Sequence, residues 1–311
     1  MKPIARDAMP TCHRASGIFL RAGMLLVFLA CLTGCEATLF AGLNATDHRH
    51  GIEPTRDITF DPSTGLKLDV YRPADAVNAP VVVFFYGGSW TGGKRQWYRF
   101  VGTALASRGI VAVIPDYRKY PRVKMDGFMA DAARAVAWTH AHAGEFGGDA
   151  SRLFIMGHSA GGHIAGLLAT DGHWLQAQGM TTRELAGFIG LAGVYDFVPI
   201  ASNEKDMLGM FGHLPSEQHR AQPIDFVDGD EPPMLLLHGL ADKEVDVHNS
   251  NSLADVMKAH GEPVLLKLYP GISHSGLVLA LSTPLQAKKP VLGDVVSFIH
   301  QAPPARGAKT P

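Results

Sequence analysis

The sequence contains little cysteine. Its three cysteines among 311 residues are Cys12, Cys31 and Cys35, so the chain beyond residue 35 has none. That stretch therefore holds no disulfide, no thiol nucleophile and no cysteine-ligated metal. An excess of positive charge is also missing, because the formal net charge is −1 at pH 7. Without a basic field we expect no nucleic-acid partner.

Hydrophobic runs long enough to span a bilayer are missing as well. Residues 22–32 form an apolar run of eleven residues behind four basic side chains. This length suits the apolar segment of a secretory signal and is too short for a transmembrane helix. The run ends in Leu-Thr-Gly-Cys, which resembles the lipobox of bacterial lipoproteins. The resemblance implies cleavage before Cys35 and lipidation of its sulfur.

We therefore expect a lipoprotein signal peptide over residues 1–34 and a polar tether over residues 35–56. The expected protein is exported and lipid-anchored to a bacterial membrane, on its periplasmic or cell-surface side. Removal of residues 1–34 would leave 24 basic and 28 acidic residues, a net charge of −4. This charge excludes a polybasic anchor, so the lipid would provide the attachment. The alternative is a plain signal peptide followed by an incidental cysteine.

The remaining chain has the composition of a globular domain, with 46% apolar and 18% charged residues overall. Short apolar runs predict strands at 58–60, 66–71, 81–85, 110–114, 153–156, 188–191, 234–237 and 264–268. Helical spacing predicts helices at 96–107, 128–142, 160–170, 250–260 and 291–300. Strands that alternate with helices indicate an α/β fold with a mostly parallel central sheet and helices on both faces. We place this domain at residues 57–301 and a tail at 302–311.

Residues 196–233 interrupt the alternation. The segment is too long for an ordinary connection and contains the apolar residues Met207, Leu208, Met210 and Phe211. Long irregular segments of this kind often cover functional sites. We expect a small cap insertion here.

The motif Gly-His-Ser-Ala-Gly-Gly, residues 157–162, lies between a predicted strand and a predicted helix. A strand-to-helix turn this tight forces strained backbone angles on Ser159 and leaves its neighbours no room for a Cβ. The Ser159 hydroxyl would then stand above the sheet edge as a nucleophile, and the amide of Ala160 would point at a bound oxygen. A serine that only caps the helix is the alternative, but it would not need glycine on both sides.

A serine nucleophile requires a base and an acid. Asp242 and His274 each follow an apolar strand, and the chain order serine, acid, histidine is that of sites built on such turns. Asp242 would orient His274, which would take the Ser159 proton. Glu244 or Asp246 could replace the acid, and His248 or His260 the base. The side chains of His163 and His238 fit better as packed, hydrogen-bonded supports.

The loop that follows the predicted strand 81–85 admits two chemistries. Its sequence from Gly88 to Lys94 has the spacing of a phosphate-binding loop, but Arg95 stands where serine or threonine would bind magnesium. Alternatively, the amides of Gly88 and Ser89 would join Ala160 as oxyanion donors, upstream of the nucleophile. The second interpretation accounts for the loop and for the nucleophile turn together, so we adopt it.

The segments YGGSW, IPDYRKYP, GHSAGG, HGLADKEV and YPGISHSG stand in the order seen in the α/β-hydrolase superfamily. Over residues 57–301 the chain resembles the esterase branch with feruloyl/acetylxylan esterase-like proteins, hormone-sensitive-lipase-like carboxylesterases and kynurenine formamidases. The resemblance implies a triad of Ser159, Asp242 and His274, and oxyanion donors at Gly88, Ser89 and Ala160. It departs at Tyr86, where the family usually has histidine.

The resemblance also implies hydrolysis of small aryl, alkyl or acylated-saccharide esters through an acyl-enzyme, with no cofactor and no metal. The alternatives are an arylformamidase and an inactive hydrolase-fold binding protein. Several large side chains near the expected mouth could contact the substrate, although each could equally pack in the core or cap. These candidates are Trp90, Tyr117, Trp174, Tyr195, Met207 and Phe211.

Overall fold

The computed structural model describes residues 38, 40–45, 52–287 and 289–307. The chain divides into two units, Met1–Gly42 and Leu43–Pro311. In the first unit the described residues, 38 and 40–42, are helical. The predicted signal peptide and Cys35 lie outside the described residues.

The second unit is built on one sheet of eight strands in the order β1-β2-β4-β3-β5-β6-β7-β8. β1 and β2 pair antiparallel and β2 pairs antiparallel with β4, whereas all other pairs are parallel. Every residue of β3 is buried, as its apolar sequence APVVVFF requires. The strands are β1 Ile52–Asp61, β2 Leu66–Pro73, β3 Ala79–Phe85, β4 Val111–Pro115, β5 Gly148–His158, β6 Gly187–Leu191, β7 Met234–Gly239 and β8 Val264–Tyr269.

Ten α-helices follow β1 in the described part of the second unit, and the longer ones pack against the sheet. They are α1 Arg99–Ala106, α2 Met125–His142, α3 Ala160–Thr170, α4 His173–Gln176, α5 Lys205–Phe211, α6 Pro215–His219, α7 His248–Ala259, α8 His274–Leu279, α9 Thr283–Gln286 and α10 Val291–Gln301. Short 3₁₀ turns cover Arg95–Tyr98, Ala143–Phe146, Thr182–Glu184 and Pro223–Phe226. The predicted α/β fold with a mostly parallel sheet is confirmed. No helix in the described residues is both long and apolar enough to cross a membrane.

Both expected domain boundaries differ from the structure. β1 begins at Ile52, so residues 52–56, which we expected in the tether, belong to the sheet. Most residues of this edge strand are exposed, which is why its polar sequence resembles a linker. At the other end, the amide of Ala305 donates to Ser151 O at 2.7 Å, and Arg306 pairs with Glu262 at 2.6 Å. The expected tail is therefore bound to the domain up to residue 307.

Candidate active site

Ser159 occupies the sharp turn between β5 and α3. Its backbone angles, φ 55° and ψ −122°, are strained for a residue with a side chain. A Cβ on Gly157 would lie 2.0 Å from the carbonyl oxygen of Gly161, and one on Gly161 would lie 2.1 Å from that of Phe85. The two glycines are therefore obligatory, and the turn presents Ser159 at the carboxyl edge of the sheet.

Asp242 and His274 meet at the same edge. Asp242 follows β7, and His274 begins α8 just after β8. The Nδ1–H of His274 donates to Asp242 Oδ2 at 2.8 Å, and both side chains are buried. The other oxygen, Oδ1, accepts the amides of Glu244 at 2.9 Å and Val245 at 3.0 Å. Burial raises the pKa of Asp242, but these amides and His274 outweigh it and hold that pKa below the ordinary value.

His158 joins His274 to the serine turn. The imidazole rings of His158 and His274 lie 4.7 Å apart, and His158 Nε2 lies 3.2 Å from the backbone oxygen of His274. Ser159 and His274 both line one cavity of about 550 Å³. The structure thus brings the predicted nucleophile, base and acid to one site.

The alternative acids and bases make contacts that differ from those of Asp242 and His274. Glu244 is exposed, and its Oε2 lies 3.9 Å from the Nε2 of His274, on the side away from Asp242. Asp246 accepts the backbone amide of His248, whose ring pairs with Asp196 at 2.9 Å. The ring of His260, at the end of α7, bonds to Val256 O in the same turn of chain.

His238 contacts Asp242 and the loop that follows it. It is fully buried, and its Nε2 lies 3.0 Å from Val245 O and 3.3 Å from Asp242 Oδ2. Its Nδ1 lies 2.8 Å from the hydroxyl of Ser250. Burial lowers the pKa of His238, so a neutral imidazole holds the Asp242 loop. This agrees with the supporting role expected from the sequence.

The predicted oxyanion loop has an unusual backbone. Gly88, Ser89 and Trp90 have φ angles of 126°, 50° and 57°. Among the described residues, the amides of Gly88, Ser89 and Ala160 have no hydrogen-bond acceptor. The Gly88 carbonyl accepts the amides of Thr91 and Gly92, so the loop closes on itself and leaves donors available for an oxyanion.

The large side chains proposed for the pocket divide into two groups. Trp90 and Met207 line the cavity, together with Met210, which the sequence assigned to the cap. Phe197 and Ile200 also line it, and the sequence did not single them out. The other four candidates do not line it. They are Tyr117, Trp174, Tyr195 and Phe211.

Tyr195 and Phe211 correct the pocket prediction. Tyr195 is fully buried, and its ring packs against Gly190. A Cβ on Gly190 would lie 1.9 Å from the hydroxyl of Tyr195, so only glycine leaves room for the ring. Phe211 packs edge-on against the indole of Trp90, with ring centroids 5.0 Å apart. Both side chains therefore pack in the core beneath the cavity and do not contact its interior.

In the described residues, no group of three or more histidine, cysteine, aspartate or glutamate side chains is placed to hold a metal ion.

A nucleophile turn after the fifth strand, an acid after the seventh and a histidine after the eighth, on a mostly parallel sheet, define an α/β-hydrolase. Within that class, residues 68–257 match the BD-FAE family model, and the chain belongs to the BD-FAE family. The resemblance noted in the sequence is confirmed.

Two similar proteins are named as esterases. The isoprenylcysteine alpha-carbonyl methylesterase ICME of Arabidopsis thaliana is 28% identical over 274 residues, which cover 79% of this chain and 62% of that protein. Esterase LipC of Mycobacterium tuberculosis is 32% identical over 235 residues, covering 69% of this chain and 57% of LipC. This chain thus spans less than two thirds of the length of these relatives.

Solved structures agree in fold. Esterase B from Lactobacillus rhamnosis superposes with a TM-score of 0.72 at 20% identity, covering 90% of this chain and 96% of that chain. The thermophilic esterase Est2 of Thermogutta terrifontis, determined with butyrate bound, gives a TM-score of 0.66 at 27% identity. The alignment covers 82% of this chain and 95% of the Est2 chain. The same esterase has been determined phosphonylated by sarin.

Proposed function

We propose that this protein is a serine carboxylic ester hydrolase that works through an acyl-enzyme. The observation that carries the proposal is the hydrogen bond between His274 and Asp242, together with the cavity that both His274 and Ser159 line. Names and titles of the esterase relatives support the same reaction class.

The proposed reaction uses each group in turn. Ser159 Oγ attacks the ester carbonyl while His274 Nε2 takes its proton, and Asp242 stabilises the imidazolium that forms. The amides of Gly88, Ser89 and Ala160 stabilise the oxyanion. His274 then protonates the departing alcohol. Water then attacks the acyl-enzyme carbonyl while His274 takes its proton. His274 returns that proton to Ser159 Oγ as the carboxylic acid leaves.

The cavity favours small, uncharged esters. Its volume of about 550 Å³ suits a small molecule, and the cap supplies an apolar wall of Phe197, Ile200, Met207 and Met210. Four carboxylates, those of Glu204, Asp206, Glu244 and Asp246, also line it, whereas none of the described lining residues is lysine or arginine. We therefore place short aryl or alkyl esters and acylated saccharides ahead of anionic esters.

Labelling with a fluorophosphonate tests the proposed function. We expect one phosphonyl group per chain, located at Ser159 by peptide mass spectrometry, and hydrolysis of p-nitrophenyl acetate and butyrate. Ser159→Ala should abolish labelling and lower kcat by a factor on the order of 10⁶. Ser107→Ala, an exposed serine at the end of α1, is the control and should behave as wild type.

Failure of the wild-type chain to label would favour an inactive binding protein. Retention of esterase activity in Ser159→Ala would place the reaction elsewhere. Aryl formamides in the same assay separate an esterase from an arylformamidase, because the latter should turn them over faster than the matched esters.

We also propose that Cys35 carries a lipid that anchors the exported protein to a membrane, as the Leu-Thr-Gly-Cys motif indicates. Cys35→Ser should move the protein from the membrane to the soluble fraction and remove labelling by a palmitate analogue. Cys31→Ser, four residues earlier in the apolar run, is the matched control and should leave both unchanged. Equal membrane attachment of Cys35→Ser and wild type would overturn the lipoprotein proposal.

A further inference from the structure

The oxyanion loop contains two strained residues that need support from outside the loop. Ser89 and Trp90 both lie in the left-handed region, which side chains disfavour and which persists only where neighbours fix it. Trp90 has such neighbours. Its carbonyl accepts the amide of Tyr120 at 3.0 Å, and its ring packs edge-on against Phe211.

The polar contact of the Trp90 side chain is His163. The indole Nε1–H donates to Nδ1 of His163 at 3.2 Å, and Nε2 of the same imidazole lies 2.7 Å from the carbonyl of Ala221. An indole only donates and a carbonyl only accepts, so both bonds require a neutral imidazole with its proton on Nε2. His163 is fully buried, and burial lowers its pKa to about 4, which keeps it neutral at physiological pH.

His163 therefore touches three parts of the site. It lies on α3 and its amide donates to the carbonyl of Ser159 at 3.0 Å. Through Nδ1 it contacts the oxyanion loop, and through Nε2 it contacts the cap segment at Ala221. The rings of Phe197 and Phe211 pack around the same imidazole at centroid distances of 5.8 Å and 5.4 Å.

We propose that His163 is a positioning residue for ester hydrolysis, which fixes the oxyanion loop through Trp90, while the carbonyl of Ala221 holds the imidazole in the tautomer that this bond needs. The proposal rests on the proposed function. The donors of Gly88 and Ser89 directly precede Trp90, so release of the indole would let them shift. A displacement of about 1 Å at reacting groups can lower a rate on the order of 100-fold.

Three variants separate the two bonds. In His163→Asn the side-chain oxygen can stand near the position of Nδ1 and keep the bond to Trp90. In His163→Gln the longer amide can reach Ala221 but leaves the indole without an acceptor. His163→Phe keeps the ring volume and removes both bonds.

We expect kcat for p-nitrophenyl butyrate to fall about 10- to 100-fold in His163→Phe and His163→Gln, with KM within about threefold of wild type. His163→Asn should retain kcat within about threefold, since it keeps the loop bond. Trp90→Phe should match His163→Phe, and the double variant should lose no more than either alone, because both remove one interaction.

The control is His142→Phe. His142 also contacts a tryptophan, since its ring stacks on that of Trp138 with ring centroids 4.2 Å apart, but it lies at the end of α2 and outside the cavity lining. It should keep wild-type kcat. If thermal denaturation shows that His163→Phe is poorly folded, Trp90→Phe tests the same hydrogen bond, because it removes the indole donor instead of the imidazole acceptor.

The outcomes separate this inference from the proposed function. A wild type that neither labels at Ser159 nor hydrolyses esters overturns both. An active wild type whose His163 and Trp90 variants keep full kcat overturns the positioning role alone. So does a loss of activity that is equal in all three His163 variants and follows the folded fraction, because a purely structural histidine would behave in that way.

Discussion

At the scale of single residues, Tyr86 shows how the chain accommodates its departure from the family pattern. Its ring is fully buried and stacks on Tyr98 and Tyr117, at 5.6 Å and 4.8 Å between centroids. Its hydroxyl donates to Asp116 at 3.1 Å, whereas its backbone carbonyl accepts the hydroxyl of Tyr117 at 2.9 Å. The side chain thus anchors the loop to the core, and Tyr117 fixes its backbone.

This division predicts different effects for two variants that each lose one hydroxyl. Tyr86→Phe should cost about 1 kcal/mol in the free energy of unfolding and change kcat by less than roughly fivefold, since Asp116 keeps its ion pair with Arg95. Tyr117→Phe leaves the buried carbonyl of Tyr86 unpaired, so we expect a cost of about 1–3 kcal/mol and a larger loss of kcat. Urea denaturation and assays on one ester measure both. A greater loss of kcat in Tyr86→Phe would contradict this account.

At the scale of elements, the sequence predicts what local signals determine. The helix expected at 160–170 is observed as Ala160–Thr170, because the glycine turn and the apolar run after it are both local. The helix expected at 96–107 instead splits into a 3₁₀ turn at Arg95–Tyr98 and α1. Arg95 is drawn inward by ion pairs with Asp57, Asp69 and Asp116, which lie on distant parts of the chain. Spacing within one segment cannot reveal such partners.

The cap illustrates the same limit of local patterns. Its existence follows from the broken alternation, but its fold depends on buried amide side chains. Gln222 Oε1 accepts the amides of Phe197 and Val198, each at 2.8 Å, and Asn249 Oδ1 accepts those of Tyr195 at 2.7 Å and Asp196 at 2.9 Å. A glutamine or asparagine is usually exposed, so nothing in the sequence marks these as structural.

The candidate site divides in the same way between local and distant determinants. Ser159, Asp242 and His274 could be named because each follows a strand, and parallel strands bring their carboxyl ends to one edge. His163 could be placed as a packed histidine, but its bond to Ala221 joins positions 58 residues apart. Such contacts appear only once the chain is folded.

At the scale of the whole molecule, buried neutral histidines make stability depend on pH. Burial lowers the pKa of His158 to about 3 and that of His163 to about 4, and it lowers the pKa of His238 as well. In the unfolded chain these groups would titrate near the ordinary value of about 6.5. Between those values the unfolded chain binds more protons than the folded chain, so acid favours unfolding.

We therefore expect the free energy of unfolding to be greatest above about pH 6.5 and to fall as the pH decreases from about 6.5 towards 4. For His163 alone the loss would approach about 3 kcal/mol as the pH falls to about 4, where the folded chain also begins to bind this proton. Asp61, with a pKa lowered to about 2, contributes a separate loss only when the pH falls through the range from 3.8 to 2.

Urea denaturation at about pH 7.5, 6.0, 5.0 and 4.5 would measure how steeply the free energy of unfolding falls with pH across the range in which the histidines act. His163→Asn cannot titrate at this position, so its slope should be smaller by the contribution of about one proton. Identical slopes for His163→Asn and wild type would mean that His163 is not the neutral, buried group that its contacts with Trp90 and Ala221 require.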